Sequence, residues 1–270
     1  MQALQRESML SESVLLDAAS KGAVWISLHR GKGQTRPRRL RSLSLEVSEG
    51  SEIILNFDEQ VLAKKPQAMH CVSDHVNYGI WHKPAGMLCQ GSKWSDHTVA
   101  TQVAGKISGK HCHLVHRLDR AACGLLLIAY TKNALRSLAA LFEKRQVSKT
   151  YQATVFGCLT QELPLQIDAP IDGRAALTTV QEANSDSARN RSVLLLSIDS
   201  GRKHQIRRHL AGLGHPIVGD RLYGQQNDNQ VSAVDLQLVA CRLGFTCPYT
   251  SEKVSVSIDA KAALCQRLVK

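Results

Sequence analysis

Aromatic residues are scarce in this 270-residue chain: three Trp, five Tyr and four Phe, or 4%. That scarcity already argues against one class of function. A helix lying on a bilayer sets lysines against exposed Trp or Phe, and no stretch here supplies that pattern. No run approaches the ~18 consecutive apolar residues of a membrane span. The N-terminus, MQALQRESML, lacks the charged-then-apolar layout of an export signal, so a cytoplasmic protein without a membrane anchor is expected. The eight cysteines, at 71, 89, 112, 123, 158, 241, 247 and 265, include no Cys-x-x-Cys pair. They read as reduced thiols, several of them buried as small hydrophobes. His70, Cys71 and His75, with the HCHLVH run at 111–116, offer ligand-type side chains but lack the paired spacing of a structural zinc site, so no metal is expected. Acidic residues are also short: 23 Asp and Glu face 34 Lys and Arg, a formal charge of +11. An excess of that size, spread through a folded chain, favours a polyanionic partner, with nucleic acid ahead of an anionic membrane surface.

What is present is an ordinary globular composition, 43% hydrophobic and 21% charged, in a chain long enough for one full domain and a small accessory one. Residues 1–75 read as the smaller part. SESVLLDAASKG has helical spacing with Gly22 as its stop, and AVWISL is a short strand. A basic loop follows, carrying Arg30, Lys32, Arg36, Arg38, Arg39 and Arg41, and EGSEIILNFD is a turn and a strand. AKKPQAMHCVSDH, residues 63–75, has no clear period and reads as a linker. Residues 76–270 alternate strands and helices. YGIWHKPAGMLC is a strand broken by Pro84 and Gly86, and GLLLIAY is a fully apolar strand. KNALRSLAALFEKRQ is an amphipathic helix, SKTYQATVFG and RSVLLLSIDSG are strands, and RKHQIRRHLAGLG is a short helix.

Two clusters carry candidate chemistry. In HRLDRAACGLLLIAY, residues 116–130, one carboxylate, Asp119, sits between Arg117 and Arg120. Flanking positive charge favours its ionised form, fit for a nucleophile, a base or a salt bridge. Its loop must be pinned at the edge of a core, because a strand without charge follows, and Gly124 allows a sharp turn there. In GRKHQIRRHLAGLGHPIVGDRLYG, residues 201–224, the spacing places Lys203, His204, Arg207 and Arg208 on one broad helix face opposite Ile206 and Leu210, a platform suited to phosphate.

These segments resemble the RluA branch of the pseudouridine synthases. HRLDRAACGLL is similar to that family's H-R-L-D-x-x-T-S-G-L-L segment, and KTYQATVFG at 149–157 to its K-x-Y-x-A-x-V-x-G strand. GRKHQIRRHL followed by GHPIVGDRLYG is similar to its G-R-T-H-Q-I-R-x-H-L and G-H-P-I-x-G-D-x-x-Y-G segments, and WHKPAGMLC to its N-K-P-A-G-M segment. The motifs stand in the family's order across residues 80–224. The resemblance implies an α+β fold, a mixed and largely antiparallel sheet with flanking helices around a basic cleft. It implies conversion of specific uridines to pseudouridine in ribosomal or transfer RNA, with Asp119 as the catalytic aspartate, Tyr151 packing on the target base and Arg207 pairing with Asp119. His116, Arg117, Arg202 and His204 would support the RNA. No cofactor is called for: the reaction is an internal rearrangement that needs no redox step and no group donor, and the sequence has no glycine-rich nucleotide loop.

The first 75 residues resemble a degenerate S4-type RNA-binding module, with KGAVWI and EGSEII at its two strands; Ser51 replaces the usual Asp. Arg36, Arg38 and Arg39 in its loop are expected to contact RNA. Elsewhere the chain departs from the family at Ala122 and Cys123, where Thr-Ser is usual, at His82 for Asn, and at Lys203 for Thr. The change at 122–123 supports the rival expectation, an RNA-binding protein of the same fold that has lost catalysis. A monomer acting on structured RNA is expected.

Overall fold

The computed structural model describes residues 2–30, 33–45, 47–224 and 234–265; Lys32 of the basic loop and the side chain of Arg30 lie outside this description. Helices α1 (Gln2–Ser8) and α2 (Glu12–Ser20) open the chain. The Ser11 side chain accepts a hydrogen bond from the Val14 N–H at the start of α2, and Gly22, at φ 83°, follows its end. Five short strands follow: β1 (Val24–Ser27), β2 (His29–Arg30), β3 (Gly33–Gln34), β4 (Arg38–Arg39) and β5 (Glu52–Leu55). β2 and β3 pair as a hairpin, while β4, β1 and β5 form an antiparallel sheet in that order. Ala19, Val24, Ile26 and Leu40 are its small core, and α3 (Glu59–Leu62) closes the segment.

This small sheet is tied to the loop that precedes the next helix. Trp25 Nε1 donates to the Lys93 carbonyl at 2.9 Å, and Asp96 takes Arg39 Nε at 3.1 Å and Arg41 Nη2 at 2.6 Å. Arg39 also donates to the carbonyls of Gly22 and Ser92 and lies over the Trp25 ring at 4.5 Å. Burial works against its charge more than Asp96 supports it, so its pKa is lowered.

The large sheet begins earlier than the sequence indicates. Residues 70–74, read as linker, form β6 (His70–Asp74), which pairs antiparallel with β7 (Tyr78–Lys83). A bulge between Cys71 and Ser73 breaks the period-two alternation, which is why no strand is legible there. After α4 (Ala100–Ser108) come β8 (His113–Leu114), β9 (Cys123–Ala129), α5 (Lys132–Glu143), β10 (Ser148–Phe156), β11 (Leu165–Ile167), β12 (Thr178–Asp186), β13 (Arg191–Ile198), α6 (Gln205–Gly212), β14 (Leu238–Thr246), β15 (Lys253–Ser257) and α7 (Ala260–Cys265). The strand order is β11–β12–β13–β10–β14–β9–β7–β6, with β15 added to β14 and β8 to β9. Among the described residues every pair is antiparallel except β14 with β9, so the fold is α+β with a mixed, largely antiparallel sheet.

β9 is buried along its whole length. Leu126 and Ile128 face one core, which also holds Tyr151, Ile206 and Leu238; Leu125, Leu127 and Ala129 face the other, under α5. Each buried leucine or isoleucine contributes about 1.5–3 kcal/mol. A strand apolar on both faces is the physical meaning of the unbroken GLLLIA run. At its start, Gly124 sits at φ 119° against the Ala240 backbone of the parallel neighbour, and a Cβ there would collide with it. This close approach of two strands, rather than a turn, is what requires glycine.

Candidate active site

Asp119 stands on the loop that leads into β9, and its neighbours hold the loop from both sides. His116 Nε2 accepts from the Leu127 N–H at 3.0 Å, and its ring stacks on Phe142 at 4.7 Å. Burial, with Lys149 adding to it, pushes this imidazole down to about 3, so it is a neutral strut. The Leu118 N–H meets Cys89 Sγ at 3.4 Å. On the other side the Arg120 carbonyl accepts from the Gly86 N–H at 2.7 Å and from the buried Lys83 Nζ at 3.5 Å. Lys83 Nζ also donates to the carbonyls of Pro84 at 2.9 Å and Met87 at 3.0 Å, binding the 83–87 turn to the aspartate loop.

The arginines beside Asp119 in sequence are not its partners. Arg117 reaches Gln90 at 3.5 Å, and Arg120 donates to the Gly86 carbonyl at 3.2 Å. The charge facing Asp119 comes from 88 residues away, where Arg207 Nη1 lies 3.5 Å from Oδ2; the His204 ring is close by, with Nε2 4.0 Å from Oδ1. Arg207 is 4% exposed. Its Nε and Nη2 each donate to Asp220, both at 2.7 Å, a bidentate pair that leaves Nη1 aimed at Asp119. Burial works against both charges of that pair, and their mutual bonds prevail, so Arg207 is raised and Asp220 lowered. Asp220 also accepts from the N–H groups of Leu222 and Tyr223, at 3.0 and 3.1 Å.

The shared basic face expected for residues 203–208 does not form. The helix begins at Gln205; Lys203 and His204 precede it, with His204 in the left-handed conformation at φ 55°. Arg207 points inward, while Arg208 pairs with Asp172 at 2.9 Å. The inward turn is set by docking: Gln205 Nε2 donates to the Leu177 carbonyl, and His209 bonds Thr178 Oγ1 at 2.9 Å. His204 Nδ1 lies 3.0 Å from the Tyr223 hydroxyl.

One cleft of about 400 Å³ brings together Asp119, Tyr151, Arg207, His116, Arg117, Arg202 and His204. Arg202 Nε is held by the Ala175 carbonyl at 3.1 Å. Tyr151 comes from β10, 7% exposed, and burial together with the Asp119 charge pushes its phenol well above its ordinary value. Arg36, Arg38 and Arg39 lie on the small sheet and its loop and do not line this cleft; Arg36 and Arg38 are exposed, while Arg39 is spent on the contacts with Asp96 and Trp25. Asp220 and Tyr223, which hold Arg207 and His204, were missed as site residues, though both lie inside the GDRLYG segment. Of the altered dipeptide, Ala122 lines the cleft, whereas Cys123 packs with Val239, Cys241 and Ala260 away from it, its thiol pushed up to about 11 by burial.

A carboxylate paired with a buried guanidinium in a cleft lined by further cations and a tyrosine is an arrangement that suits chemistry on an anionic substrate. Comparison with known proteins agrees. Residues 77–212 match the family described as RNA pseudouridylate synthase. The tRNA pseudouridine synthase C of Pasteurella multocida is 34% identical over 206 residues, covering 65% of this chain and 84% of that one. An RNA pseudouridine synthase of Aquifex aeolicus, described as uncharacterized, is 26% identical over 280 residues, covering 92% of this chain and 85% of its own. Among solved structures, human RNA pseudouridylate synthase domain containing 1 superposes with a TM-score of 0.60 at 26% identity, covering 73% of this chain and 86% of that one. The chain belongs to the RNA pseudouridylate synthase family. It is an RNA pseudouridine synthase, an isomerase that converts uridine to pseudouridine in RNA.

Proposed function

We propose that the substrate is tRNA and that Asp119 starts the reaction at C1′ of the target uridine. The relatives named for tRNA support the first point. The 3.5 Å approach of Arg207 Nη1 to Asp119 in the cleft supports the second and is the observation that carries it. The N1–C1′ bond breaks, the uracil turns, and C5 joins C1′. Asp119 either attacks C1′, as a glycosidase nucleophile does, or takes a sugar proton to give a glycal. Arg207 Nη1, 3.5 Å away, aims the carboxylate within the cleft. A uridine drawn out of its helix gives up base stacking, and Tyr151 offers a face worth about 1–3 kcal/mol in return. His116 maintains the loop; Arg117, Arg202 and His204 meet the RNA. The part expected over residues 1–75 acts as an S4-like RNA-binding module through Arg36 and Arg38, and residues 76–270, extended by β6 (His70–Asp74) of the same sheet, as the catalytic domain. The enzyme acts as a monomer in the cytoplasm.

The test is pseudouridine formation in total RNA from a strain lacking the gene. Wild type is expected to restore it and Asp119→Asn to abolish it with RNA affinity kept. No turnover by wild type on any RNA would favour the binding protein without catalysis.

A further inference from the structure

Completing the product requires a second proton transfer, distinct from the step at C1′. Once C5 has joined C1′, C5 still carries its hydrogen and the ring holds a C6=N1 double bond. The C5–H bond must break; its electrons form C5=C6, the C6=N1 pair moves onto N1, and N1 takes a proton. Atoms and charge balance without any co-reactant, but the step needs an acceptor within one nucleoside of Asp119.

The groups around the carboxylate differ sharply in fitness for this. Arg207 cannot accept a proton. Tyr151 keeps its proton, since burial and the Asp119 charge both disfavour a phenolate. His204 remains. Its Nε2 is 4.0 Å from Asp119 Oδ1, too far for a hydrogen bond to join them, and its ring lines the same cleft. Its Nδ1 lies 3.0 Å from the Tyr223 hydroxyl, and the two rings meet edge to face at 5.7 Å. Tyr223 is in turn seated by its backbone N–H on Asp220, the residue that holds Arg207. The left-handed backbone at His204, φ 55°, sets the ring at this place.

Resting on the assignment of Asp119 above, we infer that His204 removes the C5 proton, with Nδ1–H donated to Tyr223 so that the Nε2 lone pair faces the substrate. Several charges meet this imidazole. Asp119 and Asp220 favour its cationic form, Arg207 and Lys203 oppose it, and burial, the largest influence, opposes it too. The balance lowers its pKa, so the ring is neutral near pH 7 and free to accept.

The experiment uses the full chain and total RNA from a gene-deletion strain grown on uridine carrying either hydrogen or deuterium at C5. Single-turnover pseudouridine formation is followed across pH. His204→Asn is chosen because asparagine tolerates the left-handed backbone. It is expected to slow turnover by about 10²-fold or more, to raise the C5 deuterium isotope effect above that of wild type, and to remove the fall in rate on the acid side. RNA affinity, to which His204 also contributes in the cleft, should fall far less than turnover. Tyr223→Phe, which takes away only the Nδ1 partner, should move that acid limb and give a smaller isotope effect. An unchanged rate in His204→Asn overturns the proposal, as does a loss confined to RNA affinity or a slower rate without an added isotope effect. Asp119→Asn run in parallel separates the two readings. If it still turns over, the assignment of Asp119 fails; if it is dead while His204→Asn shows no isotope effect, only the role of His204 fails.

Discussion

Removing one charge from Asp220 separates two tasks of Arg207. The guanidinium is held by Asp220 and offered to Asp119, and only the second task touches substrate. Asp220→Asn leaves a buried cation with half its partner, an expected loss of about 3–5 kcal/mol in the free energy from urea unfolding. Because Asp220 is lowered in the folded state, its contribution is present above the ordinary carboxylate range and disappears as pH falls through its lowered value. The variant should therefore show a shallower acid limb than wild type. Turnover should fall further than RNA affinity, since the guanidinium would lose its aim before the cleft lost its positive charge. At this scale the sequence was misleading about neighbours. Asp119 lies between two arginines in the chain, and both turn to other acceptors.

Among the elements, β7 and β9 form the wall on which the site rests, and they carry a pH dependence of their own. His82 on β7 is 2% exposed, with His70 stacked on it at 5.0 Å; burial first, then the charges of His70 and Lys83, press it to about 4. His116, bonded to the Leu127 N–H of β9, is pressed to about 3. Both must stay neutral in the folded chain while the unfolded chain takes up protons near the ordinary 6.5. Their stabilisation is complete above that value and drains away as pH falls toward 4 and then 3. The urea midpoint should drop between about pH 7.5 and about pH 5, and His82→Asn should lessen the drop. β6 illustrates the limit of reading elements from pattern, because a single bulge shifted its alternation and left it looking like linker. β9 illustrates the opposite, since a strand buried on both faces writes itself as an unbroken apolar run.

For the whole molecule, part of the excess of 11 positive charges lines the cleft at Arg117, Arg202, Lys203 and Arg207, and part is exposed at Arg36 and Arg38 on the small sheet and its loop. The small sheet is fixed to the catalytic part by Trp25, Arg39 and Arg41, closing on Lys93 and Asp96. Arg39 belongs to that joint, so Arg36 and Arg38 are the informative positions for RNA. Arg36→Ala and Arg38→Ala should each weaken RNA binding and reduce the slope of log affinity against log salt by about 1 for every phosphate left without its cation. Filter binding measures the slope, and the single-turnover rate at saturating enzyme should be unchanged. An unchanged slope would place the RNA away from this loop.

The sequence alone determined the family and the α+β class, and it named seven residues that the fold gathers into one cleft. These are carried by local patterns: an apolar strand, an alternating strand, and short segments whose residue types suit one chemistry. The tertiary structure decided which charges meet. Asp119 finds Arg207 and His204 only because the β9 and α6 segments are brought to one cleft, and α6 turns Arg207 inward through bonds made by Gln205 and His209. Ion pairs depend on distance in space rather than along the chain, so the GDRLYG segment marked the neighbourhood of Asp220 and Tyr223 without showing that they hold Arg207 and His204.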